Sequence, residues 1–395
     1  MPDSSSTPSS AGASRAAHVT GFPTVGVLGG GQLARMLGTV ARELGLHMRF
    51  YQTEDTGPVA GDAEVFTGAW SDEALLQRFL EGCDVVTLDN EWVELDTISR
   101  LLPAKVALWP SLETMALVSD KIRQKQHAER LGLPVGPFRA CASEADLDEV
   151  ASTFGFPVVV KRPRQSYDGY GNRTANDAGE LRAAYEALAQ DGSVLVEKWV
   201  DFVRELAVMV ARRPGGAMVT YPVAATLQRD HRCEAVEVPA PVPDAVASRA
   251  LEVARAAAEA YGCVGVVGVE LFELADGQIL LNEIAPRPHN TGHYTIDACV
   301  VSQFENHLRA ILDLPLGDPS LVRPAAAMVN VLGKRAGTSS AHTLGDALAV
   351  PGVRVHVYGK HEIRPGRKVG HVTALGDSTS EALDRAYEAA RKLEL

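Results

Sequence analysis

A short apolar run, three consecutive glycines and a helical stretch follow one another in TVGVLGGGQLARMLGTVARELGLHMRFYQ, which begins at Thr24. That order admits few folds. The apolar run reads as a strand, the glycines as a tight turn, and the residues from Gln32 as a helix returning to a second strand, so the chain opens with a βαβ unit. The alternation continues with helix-like SDEALLQRFLEG, strand-like DVVTL, then VALWP and SLETMALV. Residues 21–118 are therefore expected to form a parallel, Rossmann-like α/β sheet covered by helices.

Beyond that point the texture changes. Ser119 is expected to cap a helix over DKIRQKQHAERLG, with Gly132 ending it. FPVVVKRP, SVLVEKWV, RELAVMVARR, VVGVELFEL and QILLNEIAP are strand-like, with helices near 177–190 and 244–261. This predicts an α+β domain over residues 119–313. AAAMVNVLG, VRVHVYG and GHVTALG, followed by a helical tail, predict a small β-rich unit over residues 314–395, and residues 1–20 read as a disordered tail. At 395 residues with 46% hydrophobic content, two or three domains are expected.

A formal charge of −12 argues against nucleic acid as a partner. Neither an 18-residue apolar run nor a signal-peptide core is present, so no membrane association and a cytoplasmic location are expected. The five cysteines are odd in number, scattered and without CxxC spacing, which points to reduced packing residues rather than disulfides or a zinc site.

Several segments can carry chemistry. The glycines 29–31 with Gln32 place backbone amides at the start of a helix, where an anion is favoured. With Ala34 and with Glu54 downstream, the same loop fits a dinucleotide fingerprint, so an NAD-dependent dehydrogenase competes with other nucleotide enzymes, and a tight turn without a ligand competes with both. In VGVELFELADGQILLNEIAP, Asp276-Gly277 signals a two-residue type I′ turn, which sets Ala275 opposite Gln278 and Glu270 opposite Glu283. Facing carboxylates repel unless a cation lies between them, and magnesium suits such oxygens. Glu273 then faces away, and Asn282 alternates away from Glu283 but reaches a phosphate if the strand twists. An exposed hairpin with incidental acids is the alternative.

Lys161 ends an apolar run and Lys121 begins a helix. Either is an ordinary solvated lysine on its own, but the glycine-rich segment of Ser166, Tyr167, Asp168, Gly169, Tyr170, Gly171 and Asn172 follows Lys161 and could cover phosphates as a flap. Arg287, His289, Asn290 and His293 crowd into NEIAPRPHNTGHYT, a loop suited to anions. Arg364, Arg367 and Lys368 surround a glycine in RPGRKVGH, which fits either a nucleotide phosphate or a solvated basic turn.

In this order, from about Val25 to His371, the segments resemble 5-(carboxyamino)imidazole ribonucleotide synthetases, bicarbonate-using ATP-grasp enzymes of purine synthesis. The most specific stretch is GQILLNEIAPRPHNTGHYTIDACVVSQFENHLRAILDLPLG; GVLGGGQLARM and RPGRKVGHV are also close. The resemblance implies an ATP-grasp architecture with an N-terminal Rossmann-like domain, and ATP held between two α+β subdomains. Lys121, Lys161, Asn282 and the flap residues Ser166, Asp168, Gly169, Gly171 and Asn172 would contact the nucleotide. Glu197, Lys198 and Val200 would hold adenine and Glu205 the ribose, with Glu270 and Glu283 as magnesium ligands. Gly31, Gln32, Leu33, Tyr167, Asp168, Arg287, Asn290, Arg364, Arg367 and Lys368 would bind 5-aminoimidazole ribonucleotide. Asp168, Arg287 and His289 would serve catalysis. Bicarbonate would attack the γ-phosphate to give carboxyphosphate, and a homodimer is implied. The chain departs from the family pattern at YDGYGN, at LQRDHRCEAVEV near His231 and Arg232, and at TLDNEWVEL, with Asp89 and Trp92. A formate-using glycinamide ribonucleotide transformylase and a nucleotide sensor without turnover are further alternatives.

Overall fold

Val25, Val27 and Leu28 have no exposed surface, which requires a strand covered on both faces, as in a parallel sheet between helices. The computed structural model describes residues 21–61, 64–165, 171–229, 232–337 and 343–393. Its first five strands are β1 (Thr24–Leu28), β2 (His47–Gln52), β3 (Glu64–Thr67), β4 (Val85–Leu88) and β5 (Ala107–Leu108). They pair in parallel in the order β3-β2-β1-β4-β5. The order reverses between β1 and β4, and doubly wound sheets bind ligands outside the carboxyl ends of their strands at such a point.

Four antiparallel strands follow: β6 (Phe138–Cys141), β7 (Val158–Lys161), β8 (Asn172–Ala175) and β9 (Val194–Lys198), in the order β6-β9-β7-β8. Helices Glu144–Phe154 and Ala178–Leu188 close one face of this sheet, burying Leu147, Val150, Leu181 and Ala184 against Val158, Val160, Val194 and Val196. Ser143 and Asp177 cap these helices through side-chain oxygens on backbone amides, and each cap stabilises its helix by about 1 kcal/mol.

The remaining strands build one large antiparallel sheet. They are β10 (Phe202–Arg212), β11 (Met218–Thr220), β12 (Ala224–Arg229), β13 (Arg232–Val238), β14 (Gly265–Leu274), β15 (Ile279–Ala285), β16 (Ala325–Leu332), β17 (Val353–Val357) and β18 (Lys368–Gly376). The order is β15-β14-β10-β12-β13-β16-β18-β17, with β11 also on β10. The pairing of β13 with β16 joins the C-terminal strands to the central ones without a break. Helix Asp244–Ala260 buries Ala250, Ala254, Ala257 and Ala258 on one side, and helix Thr379–Lys392 buries Ala382, Ala386 and Ala389 in the C-terminal core.

The expected strands from FPVVVKRP to GHVTALG are all present, and the expected helices occupy Ala178–Leu188 and Asp244–Ala260. One boundary differs. Asp120, not Ser119, caps helix Lys121–Arg130, its Oδ1 accepting from the amides of Ile122 and Arg123 at 2.9 and 3.2 Å. Ser119 instead ends the preceding helix Leu112–Val118. Gly132 follows the helix with φ +71°, as its stop requires. No described helix is long and apolar enough to cross a membrane, and all five cysteines are free and buried.

Candidate active site

The three sheets meet around a cleft of about 1150 Å³, walled by the carboxyl ends of β1 and β4, by β7 to β9, by the β14–β15 hairpin and by residues 360–368. Glu270 and Glu283 stand opposite one another across the β14–β15 ladder. The expected route to that pairing is wrong in detail. Leu274 N–H bonds to Gln278 O and Gly277 N–H to Leu274 O, at 2.9 and 2.8 Å, so the loop has three residues and only Gly277 takes a positive φ, +76°. A type I′ turn needs positive φ at both central residues; Asp276 instead keeps negative φ and accepts the Gln278 amide on its own Oδ1. The strands leave this loop one residue out of the expected register, and an irregularity between Glu270 and Leu271, where Asn282 is the extra residue, restores it. The same irregularity lets Asn282 face the cleft, where its Oδ1 accepts from Lys161 Nζ at 3.4 Å. Glu273 turns to the other face and pairs with Arg204 at 2.6 Å.

The two facing acids are driven apart in acidity. Glu270 keeps 36% of its side-chain surface open to the cleft, but the protein around it and the negative charges of Glu283 and Glu205 push its carboxyl up to about 7. Burial pushes Glu283 the same way, yet Lys121 and Lys161 outweigh it and hold the carboxyl below its usual range. Lys121 makes a direct ion pair with Glu283. Among the described residues no group of three or more His, Cys, Asp or Glu is arranged to hold a metal. Two opposed carboxylates and an amide oxygen do fit magnesium, which is commonly held by one or two protein carboxylates with phosphates supplying further oxygens.

Beside this pair the charges alternate. Glu197 receives Lys161 at 2.5 Å and Lys125 at 2.8 Å on its two oxygens. Burial opposes its ionisation, but the two ammonium groups prevail and lower the carboxyl to about 2. Lys125 also donates to Leu281 O at 3.3 Å. Burial lowers its pKa, with Lys161 adding to the effect, whereas at Lys161 the pull of Glu197 and Glu283 overcomes burial and raises it. The Glu197 side chain is thus committed to lysines rather than turned toward a base. Lys198, Val200, Phe202 and Glu205 continue the wall, with Phe202 stacked on Phe272 at 4.6 Å and Gln228 Nε2 donating to Glu205 Oε2 at 2.7 Å.

Across the cleft, Gly31 N–H donates to Asp89 Oδ2 at 2.6 Å, and a Cβ at Gly29 or Gly30 would collide with Asp89 or Gln52. The glycines therefore fit their loop against β2 and β4, and one amide of the expected anion site is taken by the side chain of Asp89. Gly31, Gln32 and Leu33 remain on the cleft wall, with Glu54 and Trp92 near them. Arg287 pairs with Glu91 at 2.8 Å. His289 Nε2 lies 3.7 Å from Glu270 and its Nδ1 2.8 Å from Thr291 Oγ1. Asn290 exchanges hydrogen bonds with Asn330 and accepts from Lys368 Nζ at 3.1 Å.

Arg364 and Arg367 gather at the RPGRK turn, bound to the carboxylate and carbonyl of Glu362, while Arg232 Nη1 donates to Gly366 O at 3.4 Å. Asn172 lines the cleft and Gly171 O accepts the Arg162 amide. Ser166, Tyr167, Asp168 and Gly169 lie outside the described residues. His293 lines the cleft wall yet has no exposed surface.

Reading the residues alone missed Lys125, Glu91 and Asn330, and Arg232 stood out only as lying at a departure from the family pattern. Lys125 was findable, since it lies one helical turn after Lys121 on the same face. Nothing local marks Asn330, whose place depends on pairing between distant strands.

Three family models cover this architecture in order: a ribonucleotide synthetase preATP-grasp domain at residues 22–119, an ATP-grasp domain at 126–304 and a phosphoribosylaminoimidazole carboxylase C-terminal domain at 326–385. The N5-carboxyaminoimidazole ribonucleotide synthase of Synechococcus elongatus is 41% identical over 367 residues, 92% of each chain. That of Mycobacterium bovis is 42% identical over 390 residues, 96% of this chain and 90% of its own. Among solved structures, the Aspergillus clavatus carboxyaminoimidazole ribonucleotide synthase complexed with ATP superposes with a TM-score of 0.86 at 35% identity, covering 94% of this chain and 99% of that one. The N5-carboxyaminoimidazole synthase of the same fungus in complex with ADP and 5-aminoimidazole ribonucleotide gives 0.85 at 35% identity, covering 94% and 98%.

Proposed function

This chain belongs to the N5-carboxyaminoimidazole ribonucleotide synthases, ATP-grasp ligases of purine biosynthesis, and from that premise we propose how its cleft divides the work of carboxylating 5-aminoimidazole ribonucleotide with bicarbonate. The observation that carries the proposal is the opposed pair Glu270 and Glu283 beside Lys121 and Lys161, in one cleft with Arg287 and Lys368.

ATP occupies the side formed by β7, β9 and the β14–β15 hairpin. Lys198 and Val200 offer backbone groups to adenine, Glu205 receives the ribose, and Lys121, Lys161, Asn282, Gly171 and Asn172 face the phosphates, with Ser166, Asp168 and Gly169 assigned to them by sequence position alone. Glu197 acts through its ion pairs by setting Lys161 in place. Magnesium held by Glu270 and Glu283 would neutralise the phosphates and polarise the transferring group. The ribonucleotide lies toward Gly31, Gln32 and Leu33, with Asn290, Arg364, Arg367 and Lys368 around its anionic end, and Tyr167 is assigned to it by sequence position alone.

Bicarbonate oxygen attacks the γ-phosphorus and ADP leaves, giving carboxyphosphate. Arg287, fixed by Glu91, and His289 hold the carboxyl group between the two substrates. The amine nitrogen then bonds to the carboxyl carbon, phosphate departs, and the amine proton is lost. His289 stands at the cleft for that proton, and Asp168 is assigned to it by sequence position. Since positioning and charge neutralisation supply most of the catalysis in such transfers, the cation array is the core of the machine. Water must be kept from carboxyphosphate, the task assigned to the flap.

ADP release measured with ATP, magnesium and bicarbonate tests the reading. Stimulation by aminoimidazole ribonucleotide is expected; no stimulation would overturn the substrate assignment, and turnover with formate in place of bicarbonate would favour the transformylase alternative. The five free cysteines suit a cytoplasmic protein. The proposal includes the homodimer that the family resemblance implies, and sedimentation at equilibrium checks it.

A further inference from the structure

At the Lys368 side of the cleft the half-buried amide of Asn290 is backed by the buried amide of Asn330. Asn330 is 6% exposed, on β16 between β13 and β18, and is absent from the cleft lining. Its Nδ2 donates to Cys233 O at 2.9 Å and to Asn290 Oδ1 at 2.8 Å, while Asn290 Nδ2 donates back to Asn330 Oδ1 at 2.9 Å. Lys368 Nζ donates to the same Asn290 Oδ1 at 3.1 Å. Cys233 and Lys368 come from the two strands flanking Asn330, so three adjacent strands converge on the linked pair of amides, Cys233 at Asn330 and Lys368 at Asn290.

The donors and acceptors leave one arrangement. A carbonyl oxygen only accepts, so Asn330 must turn its Nδ2 toward Cys233. Its Oδ1 then faces Asn290, which answers with Nδ2 and turns Oδ1 to both the Asn330 Nδ2 and the ammonium of Lys368. Rotating the Asn290 amide would set N–H against N–H₃⁺. We infer that Asn330 is a positioning residue: it fixes the Asn290 amide, and through it the Lys368 ammonium, for the incoming ribonucleotide. The inference rests on the reading that the Asn290 and Lys368 side of the cleft receives that substrate.

A double-mutant cycle over Asn330→Ala and Asn290→Ala tests it by steady-state kinetics. Asn330→Ala should raise KM for aminoimidazole ribonucleotide about tenfold and leave KM for ATP within about twofold. In the Asn290→Ala background the same change should have almost no further effect, because the amide through which it acts is gone. Additive effects, equal changes in both KM values, or no change would overturn the inference, since a purely structural asparagine does not single out one substrate. If Asn330→Ala does not fold, Asn330→Ser takes its place, keeping a donor for the Cys233 carbonyl without the reach to Asn290. Failure of aminoimidazole ribonucleotide to stimulate the wild type would overturn the substrate reading and this inference together. A stimulated wild type with additive variants would overturn the inference alone.

Discussion

Glu270 stands directly opposite Glu283 across one ladder, yet one carboxyl is pushed up to about 7 and the other is held below its usual range. The asymmetry follows from the cations: Lys121 pairs with Glu283, while Glu270 has His289 at 3.7 Å and two acids near it. Metal binding needs both carboxylates ionised, so it must expel a proton from Glu270 at acid pH. Affinity for magnesium in the presence of ADP should be constant above about pH 7.5 and fall below pH 7 by up to about tenfold per unit, the slope of one proton. Calorimetric titrations at pH 6, 7 and 8 decide this, and equal affinities would reject the assignment.

Replacing Glu283 by Gln removes an ionised oxygen pair and strips Lys121 of its partner. Turnover should fall by about a hundredfold or more, with the melting temperature changed by only a few degrees. Near-normal turnover would sink the proposed metal site.

Lys125→Met leaves Glu197 with one cation, and that cation, Lys161, becomes neutralised just where phosphate charge must be met. Breaking the buried pair should cost about 3–5 kcal/mol in stability and raise KM for ATP more than KM for the ribonucleotide. The acid limb should move as well. Glu197 is lowered from 4.5 to about 2, so its contribution is complete above pH 4.5 and disappears as pH falls toward 2. With Lys125 gone its carboxyl rises, and unfolding should begin at higher pH; an unchanged acid midpoint would contradict the shared-carboxylate account.

Gly29 has φ +127° and no room for a Cβ beside Asp89. Gly29→Ala should destabilise the fold by about 2 kcal/mol or more, through strain and collision together. The protein should also show no saturable NAD binding, because the Gly31 amide is already bonded to Asp89. Saturable NAD binding in a fluorescence titration would reopen the dehydrogenase alternative.

Local patterns carried most of what could be foreseen. The βαβ opening shows through hydrophobic periodicity and the glycine turn, and NEIAPRPHN packs its chemistry into one contiguous stretch. The Glu270–Glu283 pairing came out right through two deviations that cancel, a three-residue loop in place of two and an extra residue at Asn282. The three-residue loop, with Gly277 in the left-handed region, is a pattern the same letters allow, whereas the extra residue at Asn282 has no local signature. The resemblance assigned Glu197 to the adenine side, and its bonding to Lys125 and Lys161 was not legible, since helix Lys121–Arg130 and strands β7 and β9 meet only in three dimensions. Asn330 is further still from legibility: its partners Cys233 and Asn290 lie 97 and 40 residues away.

The seam between β13 and β16 has a consequence for how the polypeptide can be cut. Ala235 to Val238 pair with Ala326 to Val329, so ending the chain ahead of Ala325 would bare the hydrogen-bonding edge of β13 and an apolar surface with it. An unprotected edge of that kind recruits strands from other molecules. The C-terminal portion thus shields the rest of the protein from self-association, and a shortened form would be expected in inclusion bodies before its kinetics could be read.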